Sequence, residues 1–280
     1  MKHKTDILSF ILRFLVTVSA VTTTFIILLI IGYIGIKGIP YLTPSLFEWT
    51  YTKENVSLTP ALINTVILTV LALLIATPLG IFAAIYLTEY AKQGNKLVKL
   101  IRMTAETLSG IPSIVYGLFG MIFFVLTLGW GHPCSLIAGT CTLAIMILPL
   151  IIRTTEEALL SVPISYREGA FGLGAGRLRT VFSVVLPATI PGILSGIVLA
   201  VGRIVGETAA LIFTAGTLPK IPNSIMDSTR TLSVHMYSLS SEGLYVNQAY
   251  ATAVVLLILV FLINYLSAFI AKKMIGGANG

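Results

Sequence analysis

Six stretches of this chain are apolar over lengths that a water-soluble fold has no means of hiding. They run over about 14–36, 61–88, 111–129, 134–152, 188–217 and 250–271, and roughly 20 apolar residues in a helix cross about 30 Å of hydrocarbon. In that solvent each backbone N–H and C=O must be paired within the segment, so runs of this kind become helices. The expectation is an all-α integral membrane protein with about six transmembrane helices, a single transmembrane domain over 1–280, and both termini on one side. Pro78 and Gly80 fall inside the second run, which reads as one kinked span. Only 10% of residues are charged and 56% are hydrophobic, against about 25% charged in soluble domains, so a sizeable aqueous domain is excluded. The first run is too long for a signal-peptide core and has no clear small-residue cleavage site, so it is expected to remain as an anchor.

Lysine and arginine are retained on the cytoplasmic side during insertion. One face carries Lys2, Lys4, Arg13, Lys92, Lys96, Lys99, Arg102, Arg153, Arg167, Arg177, Arg179, Lys272 and Lys273, against Lys37, Lys53, Lys220 and Arg230 on the other. The rich face is therefore expected to be cytoplasmic, with both termini there. The acids divide so that the whole net charge of +7 lies on that face. It is an orientation signal, and a nucleic-acid partner loses its motive.

The longest cytoplasmic connection spans 154–187. Ser165-Tyr166-Arg167-Glu168 has the spacing of a capping box that opens a helix, and Gly174 stands where a residue of positive φ can end one. A second amphipathic stretch runs from Arg177 to Leu186 before Pro187 and Pro191, so the loop reads as a hairpin of helices. A purely structural hairpin accounts for these features as well as a docking surface does. Gly169 and Gly174 have the separation of a phosphate-binding loop, but Ala175 and Gly176 replace the lysine and hydroxyl residue that such a loop needs. No ATP site is expected on this chain.

Glu168-Gly169-Ala170, three residues, Gly174, nine residues and Val184-Val185-Leu186-Pro187 resemble the cytoplasmic loop signature of ABC-importer permeases, E-A-A-x3-G-x9-I-x-L-P. Glycine for the first alanine and valine for isoleucine are small departures. The resemblance implies the type I, MetI-like permease architecture, with a coupling helix inserted into an ATP-binding subunit. It assigns Glu168, Gly169, Ala170, Gly174, Leu186 and Pro187 to the docking loop. ATP and magnesium would then be bound by a dimer of partner ATP-binding cassette subunits, with no cofactor on this chain.

Arg203 and Glu207 lie inside the fifth run, Arg203 about 20 Å along it at 1.5 Å per residue. Charges at that depth are functional candidates by default. A spacing of four puts both on one helix face, either as a buried ion pair holding helices together or with Arg203 meeting an anion and Glu207 orienting it. Gly202 and Gly206, also four apart, offer a strip against which another helix can pack. Ser109-Gly110-Ile111-Pro112-Ser113-Ile114-Val115-Tyr116-Gly117-Leu118-Phe119-Gly120 opens the third run; Pro112 suits a first helical turn, with Ser109 or Ser113 as cap.

That string, together with Gly202-Arg203 and Gly206-Glu207-Thr208-Ala209, resembles the membrane subunits of phosphate-uptake (Pst) ABC transporters, most closely the second permease of the pair. The resemblance extends over most of the chain, including Leu232 to Tyr237. It implies a second related permease, an extracytoplasmic phosphate-binding protein, a bacterial or archaeal cytoplasmic membrane, and a substrate path carrying Arg203, Glu207 and Thr208. An ABC permease for sulfate or molybdate, and a secondary transporter or channel, are the alternatives. His3, His132 and His235 are isolated and are assigned no metal site. Tyr33, Tyr41, Trp49, Tyr51 and Trp130 are expected in an interfacial belt among lipid headgroups, and Cys134 and Cys141 as packing residues.

Overall fold

The computed structural model describes residues 2–92, 94–131 and 133–276, and every regular element among them is helical. His132 lies outside the described residues. Helix α1 (Lys2–Gly38) leads through a short loop to α2 (Thr59–Ile85), which runs unbroken through Pro78 and ends in a π turn, Tyr86–Tyr90. Next come the amphipathic α3 (Lys96–Ser109) and α4 (Ser113–Gly120), the latter prolonged by a π-helical segment, Met121–Thr127. Helices α5 (Leu136–Ser161), α6 (Ile164–Gly172) and α7 (Arg177–Thr180) follow, and a π turn, Val181–Val185, fuses α7 to α8 (Leu186–Gly206). The chain closes with α9 (Ala209–Thr214), α10 (Leu232–Glu242) and α11 (Val246–Gly276).

Five helices are long and apolar enough to cross a membrane unaided: Ser9–Tyr41, Thr59–Tyr90, Leu136–Ser161, Arg177–Gly206 and Val246–Leu266. A sixth crossing arises only if α3 and the helix over Ser113–Thr127, bent by 102° at the break between them, count as one span. The bend falls at Gly110-Ile111-Pro112, where proline withholds an N–H and disfavours helical geometry in the residue before it. Pro112 itself precedes the helix, with no side-chain cap from either serine. Ser109 bonds back to the Ala105 carbonyl instead. The fifth run also stops short: α8 ends at Gly206 and the backbone turns extended at Glu207, so residues 209–217 form a separate short helix and turn. Conversely, α5 continues to Ser161 and α7 begins at Arg177, so the loop expected to dock, 154–187, is mostly helical and only 162–176 lies between those helices.

Helix α5 is the most enclosed element and α1 the least, with none of its most apolar stretch buried. Leu143, Met146, Ile147 and Ile151 of α5 meet Leu68, Ala72 and Ala76 of α2 and Ala200 and Ile204 of α8. A second cluster beneath the docking loop joins Ala84 and Ile85 of α2 to Leu159, Val162, Val181 and Val185. The polar segment 218–249 is partly helical and folded onto the bundle. Its helix α10 buries Leu232, Val234, His235 and Leu239, so it caps one end of the bundle while the docking loop occupies the other.

Candidate functional site

The loop over 162–176, which carries the signature residues, is built from its ends inward. Helix α6 starts after Pro163 without a side-chain cap, so the expected capping box does not form. What fastens α6 is Arg167. Its guanidinium pairs with Glu89 in the π turn after α2, with Nη2 2.6 Å from Oε1, and donates to the Leu159 and Val162 carbonyls, both at 2.9 Å. One side chain thus ties α6 to the ends of α2 and α5.

Gly174 has φ +83°. Its N–H donates to Phe171 O and that of Ala175 to Ala170 O, the paired bonds of a Schellman stop, as its position in the sequence predicts. Glu168, Gly169 and Gly174 are exposed and Ala170 half-buried. With Ile164, Tyr166 and Leu173 they present a partly apolar surface that this chain leaves uncovered. Leu186 belongs elsewhere: it packs onto the cluster beneath the loop, and Pro187 is exposed in the continuing helix.

At the far end of α8 the helix break separates Arg203 from Glu207. Once the backbone leaves helical geometry the i,i+4 argument no longer applies, and Arg203 makes no ion pair among the described residues. The buried Glu207 carboxylate instead accepts from Ala210 N at 3.0 Å, closing the first turn of α9, and its carbonyl accepts from Ser233 Oγ at 2.5 Å. Arg203 is half-buried, and its charge acts on Tyr116 of α4. Gly202 and Gly206 face open space, with no atom of another part of the described residues within 4 Å of an added Cβ. The strip expected to receive a helix receives none among the described residues.

Two motifs far apart in sequence meet here. A Cβ on Gly117 would lie 2.7 Å from Ala210 Cα, and one on Gly120 2.7 Å from Thr214 Cγ2, so these glycines let α4 lie directly on α9. Thr208 lines a cleft of about 420 Å³ with Ile34, Met236, Tyr237 and Tyr250. The arrangement sets a guanidinium with no ion-pair partner among the described residues beside a broken helix whose carboxylate is already engaged, a charge and geometry that suit an oxyanion.

A buried layer between α2 and α10 was missed by sequence reasoning. Arg230 is only 4% exposed and so is no solvent-facing outer charge. It lies 4.9 Å under the Tyr51 ring, so Tyr51 covers a cation and is not a lipid anchor. His235 sits edge-on to the same ring at 6.1 Å, fully enclosed. Burial and the Arg230 charge hold its pKa down at about 3, and burial lowers that of Arg230. The aromatics Trp49 and Tyr33 are exposed as a belt requires, whereas Trp130 stacks on Phe124. Cys134 and Cys141 are free and part-buried.

Comparison with known proteins matches residues 76–276 to the family profile of binding-protein-dependent transport system inner membrane components. The chain is 35% identical over 268 residues to the probable ABC transporter permease protein YqgI of Bacillus subtilis (strain 168), covering 87% of this chain and 89% of that protein. It is 35% identical over 251 residues to the phosphate transport system permease protein PstA of Yersinia pestis, covering 85% and 81%. Among solved structures, an inward facing conformation of the MetNI methionine ABC transporter matches with a TM-score of 0.61 at 22% identity, over 77% of this chain and 93% of that one.

Proposed function

The chain belongs to the family of binding-protein-dependent transport system inner membrane components, the membrane permeases of ABC importers, and from that premise we propose that its cargo is inorganic phosphate. In this reading the chain is the second of two related permeases and forms half of the translocation path. Phosphate reaches it from an extracytoplasmic binding protein. ATP and magnesium are held by a dimer of ATP-binding subunits that grip Glu168, Gly169, Ala170 and Gly174. The docking loop and both termini face the cytoplasm, as the lysine and arginine distribution favours.

The observation that carries the cargo assignment is Arg203. It is a half-buried guanidinium without an ion-pair partner among the described residues, next to a helix break at Gly206 and a carboxylate already used as a cap. Likeness to a phosphate permease over most of the chain supports the same anion. Thr208, at the break, adds a hydroxyl.

The decisive experiment is uptake of radiolabelled phosphate by the transporter reconstituted with its partner subunits. Arg203→Gln keeps the side chain polar and of similar reach while removing the charge; it is expected to co-purify with its partners and to lose uptake. Normal uptake by that variant would remove the arginine from the path. Inhibition of wild-type uptake by sulfate or molybdate at concentrations equal to phosphate would reassign the cargo.

A further inference from the structure

A guanidinium buried without a partner is costly, and Arg230 has one whole edge in that condition. Its Nε and Nη2 atoms are both buried and both lack an acceptor. These two nitrogens form the side-on fork of the group, two parallel N–H bonds spaced for two oxygens of one oxyanion. A single water offers one oxygen to a fork built for two. No acid pairs with Arg230 among the described residues.

The surroundings are prepared in the same sense. Oδ1 of Asn64 is likewise buried without a partner, and the ring nitrogens of His235 have no close one beyond the neighbouring backbone of Val56. The layer therefore holds unfilled donors and unfilled acceptors together, and a hydrogen phosphate ion carries acceptor oxygens and a P–OH donor. The backbone around Arg230 is pinned: Asn64 Nδ2 donates to its carbonyl at 3.3 Å and Leu232 N donates to Thr65 Oγ1 at 2.8 Å. Ser233, three residues on, donates to the carbonyl of Glu207, so one hydrogen bond joins this layer to the helix break beside Arg203.

Tyr51 covers one face of the cation. Its ring is half-buried over a guanidinium that is almost fully buried. It rides on a segment whose Val56 has φ +48°, strained for a β-branched residue. Moving that ring aside would open one face of the guanidinium.

We propose that Arg230 forms a second oxyanion site, at the end of the bundle opposite the docking loop, closed in this conformation by Tyr51 and handing its ion on toward Arg203. The proposal deepens the phosphate reading and rests on it for the identity of the ion.

The test uses the complete transporter, with inorganic phosphate as probe. Arg230→Met and Arg230→Lys are expected to co-purify with the partner subunits and to raise the KM for phosphate uptake about tenfold or more, the effect of losing a charge-assisted fork. Arg230→Met should also melt above wild type, because the unpaired charge is gone. A KM within about twofold of wild type in either variant overturns the site. Should these variants fail to assemble, Tyr51→Ala decides: it is expected to give a larger rise in melting temperature on adding phosphate than wild type shows. An unchanged rise overturns the proposal. A wild-type transporter that moves no phosphate counts against the cargo instead, and the Tyr51→Ala melting comparison, repeated with sulfate and molybdate, then judges the site independently.

Discussion

Replacing Arg167 by leucine removes a side chain that ties α6 to the ends of α2 and α5. The Arg167 and Glu89 side chains are 16% and 9% exposed, between the surface regime, where an ion pair contributes at most about 1 kcal/mol, and the buried regime, where losing one partner costs about 3–5 kcal/mol. A coupling of about 2 kcal/mol between them is therefore expected. The bonds to the Leu159 and Val162 carbonyls add about 1 kcal/mol each. Helix α6 is largely exposed and has no buried residue of its own, so the loss should appear as local detachment, not global unfolding. By hydrogen–deuterium exchange, amides of 164–175 should exchange about thirtyfold faster in Glu89→Gln, the factor for 2 kcal/mol, and faster still in Arg167→Leu. The reversed pair, Glu89→Arg with Arg167→Glu, restores the attraction but cannot cap two carbonyls with a carboxylate, so its exchange should lie between wild type and Arg167→Leu. In the reconstituted transporter the same order should hold for ATP hydrolysed per ion moved. Unchanged exchange of α6 amides in Arg167→Leu would refute this reasoning.

Gly174 offers a second test of the loop: its φ of +83° costs a β-branched residue about 1–2 kcal/mol or more, while asparagine tolerates it. No atom lies near an added Cβ, so steric clash does not contribute. Gly174→Val should uncouple ATP hydrolysis from uptake and Gly174→Asn should not; equal behaviour of the two would count against the turn as the cause. His235 predicts a pH dependence. Buried beside Arg230, it stays neutral in the folded protein down to about pH 3, whereas the unfolded chain takes up its proton near pH 6.5. Its stabilising contribution is thus complete above about pH 6.5 and is lost as pH falls toward 3, by about 2 kcal/mol at pH 5. Melting curves at pH 7 and pH 5 should show this fall in wild type and a smaller one in His235→Leu; equal falls would refute the assignment.

The residues themselves carried much of this reading. Apolar length is a local property, so the spanning helices and their order were legible from sequence, as was the stop at Gly174, where the need for positive φ belongs to a single residue. The loop signature could be read for the same reason, since Glu168 through Gly174 lie within two turns of chain. The expected Arg203 and Glu207 pair failed because it assumed that apolar character to residue 217 meant unbroken helix. The polypeptide turns at Glu207 once the carboxylate can cap α9 and the Ser233 hydroxyl can bond its carbonyl.

What only the tertiary structure decided are the contacts made across long stretches of chain. Arg167 meets Glu89 over 78 positions, and Asn64 meets Arg230 over 166. Charge sign alone counted Arg230 only as a marker of the side opposite the lysine- and arginine-rich face, because composition records how many charges a segment has and not which of them the fold covers. Burial under Tyr51 turns that arginine from an orientation marker into an unpaired fork. The sequence by itself determined that this chain is a bundle of membrane-crossing helices with a loop carrying the Glu168-to-Gly174 signature; the packing of α2, α9 and α10 determined which polar groups it closes off from water.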